Sequence, residues 1–285
     1  SLLFSINKMA AEAGLPYVAY VFWHSLGGGL MLLLPCLMMG RSAWPKLKWL
    51  HLRTYLVWGG LAIAGPITLL TYVSPNLPAA IMTMILVLVP LFTYLFALLL
   101  RMERFRTLSV LALLMGLGGV LLVIVPEASL PDAEAAGWVL LALLAPASFS
   151  LVTVFAGKFR PPNAPSPTLA CGLLLGSALL LVPVMFGTGQ LYVFPGPSLA
   201  GDLTLLYAAL LSAAIFYIFL EMVRLAGPVF ATQHNYIAVL AGFAWGLLFF
   251  GEAHSAFIWG ATALMFSGLA LHTLSAHRAA RAEGT

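Results

Sequence analysis

Four consecutive polar residues interrupt a long apolar stretch late in the chain: Gln233, His234, Asn235 and Tyr236. Their side chains can donate and accept hydrogen bonds, and histidine also titrates near neutral pH. Polar groups are costly in hydrocarbon, so this run favours a helix that faces protein or water rather than lipid. It predicts a substrate-binding helix that lines a cavity. Hydrogen bonding between helices, without a ligand, is the alternative.

A second group of candidates consists of polar and aromatic residues in other apolar segments. His24 beside Trp23 suits a substrate with an apolar side chain, although Trp23 can equally be core packing. The Lys8 ammonium can meet a substrate carboxylate, or it can pair with Glu12 one turn away and extend to the membrane interface. The predicted substrate-binding residues are Gln233, His234, Asn235, Tyr236, Trp23, His24, Met82, Thr83, Tyr217, Ser148, Asn7 and Lys8.

The composition places these candidates in a membrane protein. Of the 285 residues, 62% are hydrophobic and only 8% are charged, and the mean hydropathy is +1.04. Apolar runs of about 20 residues recur along the chain, and each can cross a hydrocarbon layer of roughly 30 Å. The net charge of +4 comes from basic residues in short loops and forms no clustered face, which argues against nucleic-acid binding.

The apolar windows between Pro, Gly and charged residues predict an all-α, polytopic membrane protein. Residues 1–12 have the character of the second half of a helix, for which about ten more residues are expected upstream. With them the chain has ten transmembrane helices. The nine full spans are predicted near residues 17–39, 52–72, 78–100, 107–126, 136–157, 167–187, 202–222, 228–250 and 255–277.

Charged residues in the loops predict the orientation, because Lys and Arg collect on the cytoplasmic side. Basic residues occupy alternate loops, and Lys8 is the exception. The intervening loops carry Glu12, Glu127, Asp132, Glu134, Asp202 and Glu252. This pattern places both termini on the cytoplasmic side of the membrane. The basic loop residues are Arg41, Lys46, Lys48, Arg53, Arg101, Arg104, Arg106, Lys158, Arg160, Arg224, Arg278 and Arg281.

The chain also shows signs of an internal duplication. Residues 2–16 align with residues 147–161, and Glu103 and Glu252 are each followed sixteen residues later by a glycine, Gly119 and Gly268. Five spans per copy is an odd number, so the second copy would enter the membrane from the opposite side. The prediction is two inverted five-helix repeats, 1–126 and 133–277, with a cytoplasmic tail, 278–285. Chance alignment of apolar segments is the alternative.

Small residues add a packing signal. Gly172 and Gly176, and Gly242 and Gly246, have the small-xxx-small spacing that lets two helix backbones approach closely. We expect these four glycines to lie at helix–helix contacts.

Two segments resemble the repeat of the EamA-type drug/metabolite transporter superfamily. Residues 79–123 contain a small-rich helix, a mid-helix Pro90, a terminal Glu103 and a Gly-rich helix; residues 226–271 repeat the order but lack the expected proline. The resemblance extends to the ten-helix bacterial branch that includes YddG-type amino-acid exporters. It implies a secondary transporter of a bacterial inner membrane that exports amino acids or related metabolites. Drugs or other metabolites are the alternative cargo.

The absence of other motifs limits the chemistry. No Asp or Glu lies deep in a predicted span, so proton coupling would fall to His234 or His24, and facilitated diffusion is the simpler mechanism. Cys36 and Cys171 show no metal-ligand or disulfide spacing. No phosphate-binding loop of the ATPase type is present. We therefore expect no enzyme activity, cofactor or metal.

The alternatives to a transporter are an intramembrane enzyme, a channel and a structural scaffold. The sequence has no nucleophile–base pair and no paired carboxylates, which disfavours the enzyme, and no repeated filter of polar groups, which disfavours the channel. The predicted partners are a small-molecule substrate and the lipid bilayer, with no nucleic acid. A monomer suffices because one chain carries both repeats, and a dimer is the alternative.

Overall fold

All regular structure in the described part of the chain is helical. The structure is a computed structural model, and it describes residues 6, 10, 13–77, 79–124, 135–232, 235 and 256–283. The α-helices are α1 (Tyr17–Met38), α2 (Trp49–Gly59), α3 (Pro66–Val73), α4 (Ala79–Met84), α5 (Leu88–Leu99), α6 (Thr107–Ile124), α7 (Ala135–Ala142), α8 (Leu144–Lys158), α9 (Ser166–Gly187), α10 (Leu199–Ala231) and α11 (Ala256–Glu283).

Many of these helices form candidate membrane spans. Six helical segments are long and apolar enough to cross a bilayer, and two shorter apolar helices, Ile85–Leu99 and Thr107–Gly119, accompany them. The eight coincide with eight of the nine predicted full spans, so the all-helical membrane class is confirmed. Residues 1–12 and most of 228–250 lie outside the described residues, and the total of ten helices stays a prediction. The six segments are Tyr17–Met38, Trp49–Asn76, Ala135–Lys158, Ser166–Gly187, Leu199–Leu225 and Ala256–Ser275.

The segment Trp49–Asn76 shows how irregular turns fit into a spanning helix. A π-helical turn, Gly60–Ala64, joins α2 to α3, and Gly65 N donates to Gly60 O at 2.9 Å, five residues back. Pro66 begins the next helix, where its missing N–H removes no hydrogen bond that the helix needs. The π turn widens the helix while its backbone groups stay paired, which a segment in hydrocarbon requires.

The described chain divides into two compact units. The larger unit contains residues 2–75 and 155–231, and the smaller unit contains Ser1 and residues 76–154 and 232–285. Each unit therefore takes segments from both halves of the sequence.

The larger unit is held by close helix contacts at glycines. Helix α1 packs on α9 and α10, and α2 packs on α9. A Cβ atom added at Gly176 would lie 2.5 Å from the carbonyl oxygen of Tyr55, and one added at Gly59 would lie 2.6 Å from the carbonyl oxygen of Leu173. Only a residue without a side chain allows backbones to approach so closely. The predicted packing role of Gly176 is confirmed; Gly242 and Gly246 lie outside the described residues.

In the smaller unit, α6 packs along α11. A Cβ atom at Gly119 would lie 3.0 Å from the carbonyl oxygen of Ala261, and one at Gly268 would lie 2.8 Å from the carbonyl oxygen of Ala112. The same pair of helices is joined by a hydrogen bond between the hydroxyls of Ser109 and Ser275, at 3.2 Å.

A glycine breaks α10 near its end. Gly227 has φ 82° and ψ 167°, a backbone conformation that is essentially restricted to glycine. Pro228 follows it and restarts the helix. The two residues together let the chain turn between two helical segments without a connecting loop.

Gly227→Ala should therefore lower the free energy of unfolding by about 1 to 2 kcal/mol. The measurement is denaturant titration of the purified protein in detergent micelles. The matched control is Gly260→Ala within α11, where an added Cβ meets nothing within 4 Å and alanine favours the helix. Equal stability of the two variants would contradict the assigned backbone strain.

Candidate functional site

His24 joins two helices in the core of the larger unit. Its side chain is fully buried, and its Nδ1 lies 3.0 Å from the Ser212 hydroxyl of α10. One turn further along α1, a Cβ atom at Gly28 would lie 2.9 Å from the carbonyl oxygen of Ala209, so the glycine allows the approach that brings Ser212 to the ring. The ring of Tyr20 lies 5.1 Å away, centroid to centroid.

One nitrogen of His24 remains available. Its Nε2 is buried and has no hydrogen-bond partner among the described residues, and the same is true of the hydroxyl of the adjacent Ser25. Buried polar atoms are normally paired, so these two groups are the most unusual polar atoms of α1. Both groups can donate or accept a hydrogen bond.

Trp23 has a different neighbour. Its indole Nε1 donates to the carbonyl oxygen of Tyr192 at 2.8 Å, and its ring lies 5.8 Å from the ring of Phe194. Both partners belong to residues 188–198, the segment between α9 and α10, which we call the strap. The sequence suggested substrate binding or core packing for Trp23, and neither interpretation included this hydrogen bond to the strap. Its acceptor is a backbone carbonyl that lies far away in the sequence.

The strap is fixed at further points within the larger unit. The Asp202 carboxylate, in the first turn of α10, accepts hydrogen bonds from the Tyr192 hydroxyl at 2.9 Å and from Gly196 N at 3.0 Å. Val18 N, an otherwise free donor in the first turn of α1, donates to Gln190 Oε1 at 3.0 Å. Burial, and then the hydrogen bond to Asp202, raise the pKa of the Tyr192 phenol, so it stays a neutral donor.

Asp202→Ala should release the strap. The substitution removes the acceptor of two donors, the Tyr192 hydroxyl and the Gly196 N–H, and a hydrogen bond to a charged group contributes about 1.5–3 kcal/mol. We expect amide hydrogen exchange at residues 188–198 to accelerate at least about tenfold. The control is Thr204→Ala, which removes only an exposed hydrogen bond to Ala200 O in the same helix. Unchanged exchange in Asp202→Ala would show that the carboxylate does not hold the strap.

The remaining described candidates fall in both units. Asn235, buried in the smaller unit, donates from Nδ2 to the carbonyl oxygen of Thr232 at 2.9 Å. Met82 is buried on α4, where Thr83 is its neighbour, and Ser148 is partly exposed on α8. Tyr217 on α10 is 38% exposed. The other predicted site residues lie outside the described residues: Gln233, His234, Tyr236, Asn7 and Lys8.

Ser150 is a buried polar residue that the site prediction omitted. Its hydroxyl lies 2.8 Å from the carbonyl oxygen of Val89 and 2.6 Å from that of Pro146, and Thr93 Oγ1 donates to the same Val89 carbonyl at 2.7 Å. These hydrogen bonds join α8 to α5 next to Pro90. A signal was present in the sequence, since Ser150 matches Ser5 when residues 147–161 are aligned with residues 2–16.

Comparison with known proteins gives one family match, in the first part of the chain. Residues 1–125 match the EamA-like transporter family. A protein of known crystal structure shares the fold with a TM-score of 0.69 at 20% identity, over 96% of this chain and 94% of that one. No curated protein matches the sequence. The structural likeness shows the fold alone.

The EamA-like match points to a membrane transporter of the drug/metabolite superfamily rather than to an enzyme. With the apolar helices it supports a multi-pass membrane protein. Within the described residues no three His, Cys, Asp or Glu side chains come together as metal ligands. The described residues thus show close helix contacts, buried polar groups and a strap that is held by hydrogen bonds.

Proposed function

We propose that the chain is a secondary transporter that exports small organic solutes, preferentially amino acids or related metabolites, by alternating access. The match of residues 1–125 to the EamA-like transporter family carries this proposal. The match ends within one residue of the predicted boundary of the first repeat, residue 126. A transporter built from two such repeats has its substrate site between them, near the middle of the membrane.

The packing of α6 on α11 supports the inverted relation between the repeats. Gly268 and Ala261 follow Gly119 and Ala112 by the same number of residues, and Gly119 opposes Ala261 while Gly268 opposes Ala112. Parallel helices around a shared two-fold axis would place Gly119 opposite Gly268. Here Ala112 and Gly119, seven positions and roughly 10.5 Å apart along α6, lie opposite Gly268 and Ala261, respectively. This reversed order is the pattern of an antiparallel pair.

The larger unit shows a related exchange at the level of whole helices. Helices α1 and α9 have 22 residues each and occupy corresponding places in the two predicted repeats. Gly27, the eleventh residue of α1, meets Ala209 of α10, and Gly176, the eleventh residue of α9, meets Tyr55 of α2. Each repeat thus contributes one helix to each contact, as related halves that rock against each other require.

The residues proposed to contact the substrate are those of the sequence prediction. His234 and Asn235 are the leading candidates in the second repeat, and His24 is the leading candidate in the first. The buried Nε2 of His24, unpaired among the described residues, supports a role for this ring in a state in which α1 and α10 have separated. The proposed mode of transport is facilitated diffusion. In the alternative, proton-coupled transport, His234 or His24 would carry the proton.

Counterflow in liposomes tests the function. Purified protein is reconstituted with an unlabelled amino acid inside, and uptake of the same labelled amino acid is followed for a panel of amino acids, with and without a pH gradient. Saturable, transient accumulation of a panel member is expected, without effect of the gradient. Accumulation that follows the gradient would replace facilitated diffusion by proton coupling. No exchange of any member would move the cargo to drugs or other metabolites.

His234→Ala and Asn235→Ala test the site. Loss of a substrate hydrogen bond worth about 1.5 to 3 kcal/mol should lower the counterflow rate at limiting substrate by roughly tenfold or more. The control is Ser267→Ala, which removes an exposed hydroxyl bonded to its own helix at Ala263 O. Full transport in both variants would remove these residues from the proposed site.

A further inference from the structure

The connection between α1 and α2 carries the largest group of basic residues in any predicted loop. Four of them fall within residues 41–53, and the chain has no Asp or Glu between Glu12 and Glu103. In the sequence these charges served only to predict the orientation of the helices. The four residues are Arg41, Lys46, Lys48 and Arg53.

These four charges are not neutralised within the described part of the protein. None of the four forms an ion pair with another described residue, whereas Arg106 pairs with Glu103 at 3.3 Å and Arg224 pairs with Glu221. Three of the four side chains are exposed, and that of Lys46 is half-buried. A group of like charges without counterions attracts an anionic partner.

Large apolar side chains alternate with these charges and are exposed as well. Leu47 is 79% exposed and Trp49 is 76% exposed, with Lys48 between them, and Trp44 is 43% exposed. Tryptophan is enriched where a membrane protein meets the headgroups of the bilayer. A nucleic acid or a free anion would leave this apolar surface in water. A phospholipid offers a phosphate to the ammonium groups and acyl chains to the leucine and tryptophan side chains.

The fold fixes this segment at both ends within the larger unit. A 3₁₀ turn, Arg41–Ala43, follows α1. Ala43 is buried, and its carbonyl oxygen accepts a hydrogen bond from Thr168 Oγ1 of α9 at 2.6 Å. At the other end Trp49 begins α2. Because the backbone is held in place, binding a partner costs less conformational freedom than it would in an unattached loop.

We propose that residues 41–53 bind the headgroup of an anionic phospholipid. The ammonium groups of Lys46 and Lys48 donate hydrogen bonds to the lipid phosphate, and Leu47 and Trp49 contact the upper part of its acyl chains. Each basic residue at an anionic membrane surface strengthens such binding by about fivefold. The site is independent of which solute the protein transports.

Lipid titration tests the site without a transport assay. The full chain in a neutral detergent is titrated with phosphatidylglycerol or with phosphatidylcholine of the same acyl chains, and bound lipid is counted by native mass spectrometry. Phosphatidylglycerol should bind at least about tenfold more tightly. Lys46→Gln/Lys48→Gln should reduce this preference to less than about threefold, and Lys46→Arg/Lys48→Arg, which keeps both charges, should retain it.

The control variant is Arg104→Gln/Arg224→Gln, which removes the same net charge from other predicted cytoplasmic positions. It should keep the preference within about twofold of the native value. Equal binding of the two lipids by the native protein, or an equal loss in the two glutamine double variants, would overturn the proposal. Glycerol phosphate at the lipid concentration should not displace phosphatidylglycerol, because it has no acyl chains. Displacement would show a site for a free anion and would overturn the assignment to a lipid.

Discussion

Gly176→Ala is expected to lower the free energy of unfolding by roughly 3 kcal/mol, near the upper end of the range for overpacked cores. The added Cβ atom would lie 2.5 Å from the carbonyl oxygen and 2.7 Å from the carbonyl carbon of Tyr55. Both are backbone atoms, so no side chain can rotate away, and α2 and α9 must move apart. Separation of the helices also breaks the neighbouring contact of Gly59 with Leu173.

The same helix supplies the control. Gly187 ends α9, and a Cβ atom added there meets nothing within 4 Å. Gly187→Ala should change the free energy of unfolding by less than about 1 kcal/mol. Denaturant titration of both variants in the same detergent checks the difference. Similar stabilities would show that α2 and α9 pack less closely than the structure has them.

Local patterns in the sequence were sufficient to predict these contacts in part. The small-xxx-small spacing of Gly172 and Gly176 identified a helix face that approaches another backbone, because only the absence of a side chain makes such an approach possible. It could not identify Tyr55 as the neighbour. The spans were predicted equally well, since hydrocarbon requires a long apolar helix whatever its partners are.

The contacts of the candidate site residues were harder to predict, because they join segments that are distant in the sequence. Trp23 appeared in the sequence as an aromatic neighbour of His24, whereas its indole binds the Tyr192 carbonyl in the strap. A backbone carbonyl has no signature in the sequence, so no pattern marks it as an acceptor. Asp202 was noted only as a loop charge, although its carboxylate accepts the hydrogen bonds that fix the strap.

The packing of the two helices that carry the cysteines was hard to predict for the same reason, because these helices are far apart in the sequence. The spacing of the two cysteines in the sequence does not match the known short metal and disulfide motifs. Cys36 and Cys171 lie in α1 and α9, which pack along each other and belong to different predicted repeats. The alignment of the copies predicts which helices correspond, but it does not predict which faces touch.

The variants Gly119→Ala and Gly268→Ala test the relation between the two predicted repeats through the free energy of unfolding. If the repeats are related by a two-fold axis, the two substitutions disturb equivalent contacts and should lower the free energy of unfolding by similar amounts, about 2 kcal/mol each. A Cβ at Gly119 would lie 3.0 Å from Ala261 O, and one at Gly268 would lie 2.8 Å from Ala112 O. Gly260→Ala, in open space on α11, is the control.

The double variant adds a sharper criterion. Both substitutions push α6 and α11 apart, so the separation that relieves the first clash also relieves part of the second. The combined loss should therefore be smaller than the total of the two single losses by about 0.5 to 3 kcal/mol. Additive losses would mean that the two glycines act at independent places. Strongly unequal single losses would mean that the contacts are not equivalent, and the inverted-repeat mechanism would lose its main geometric support.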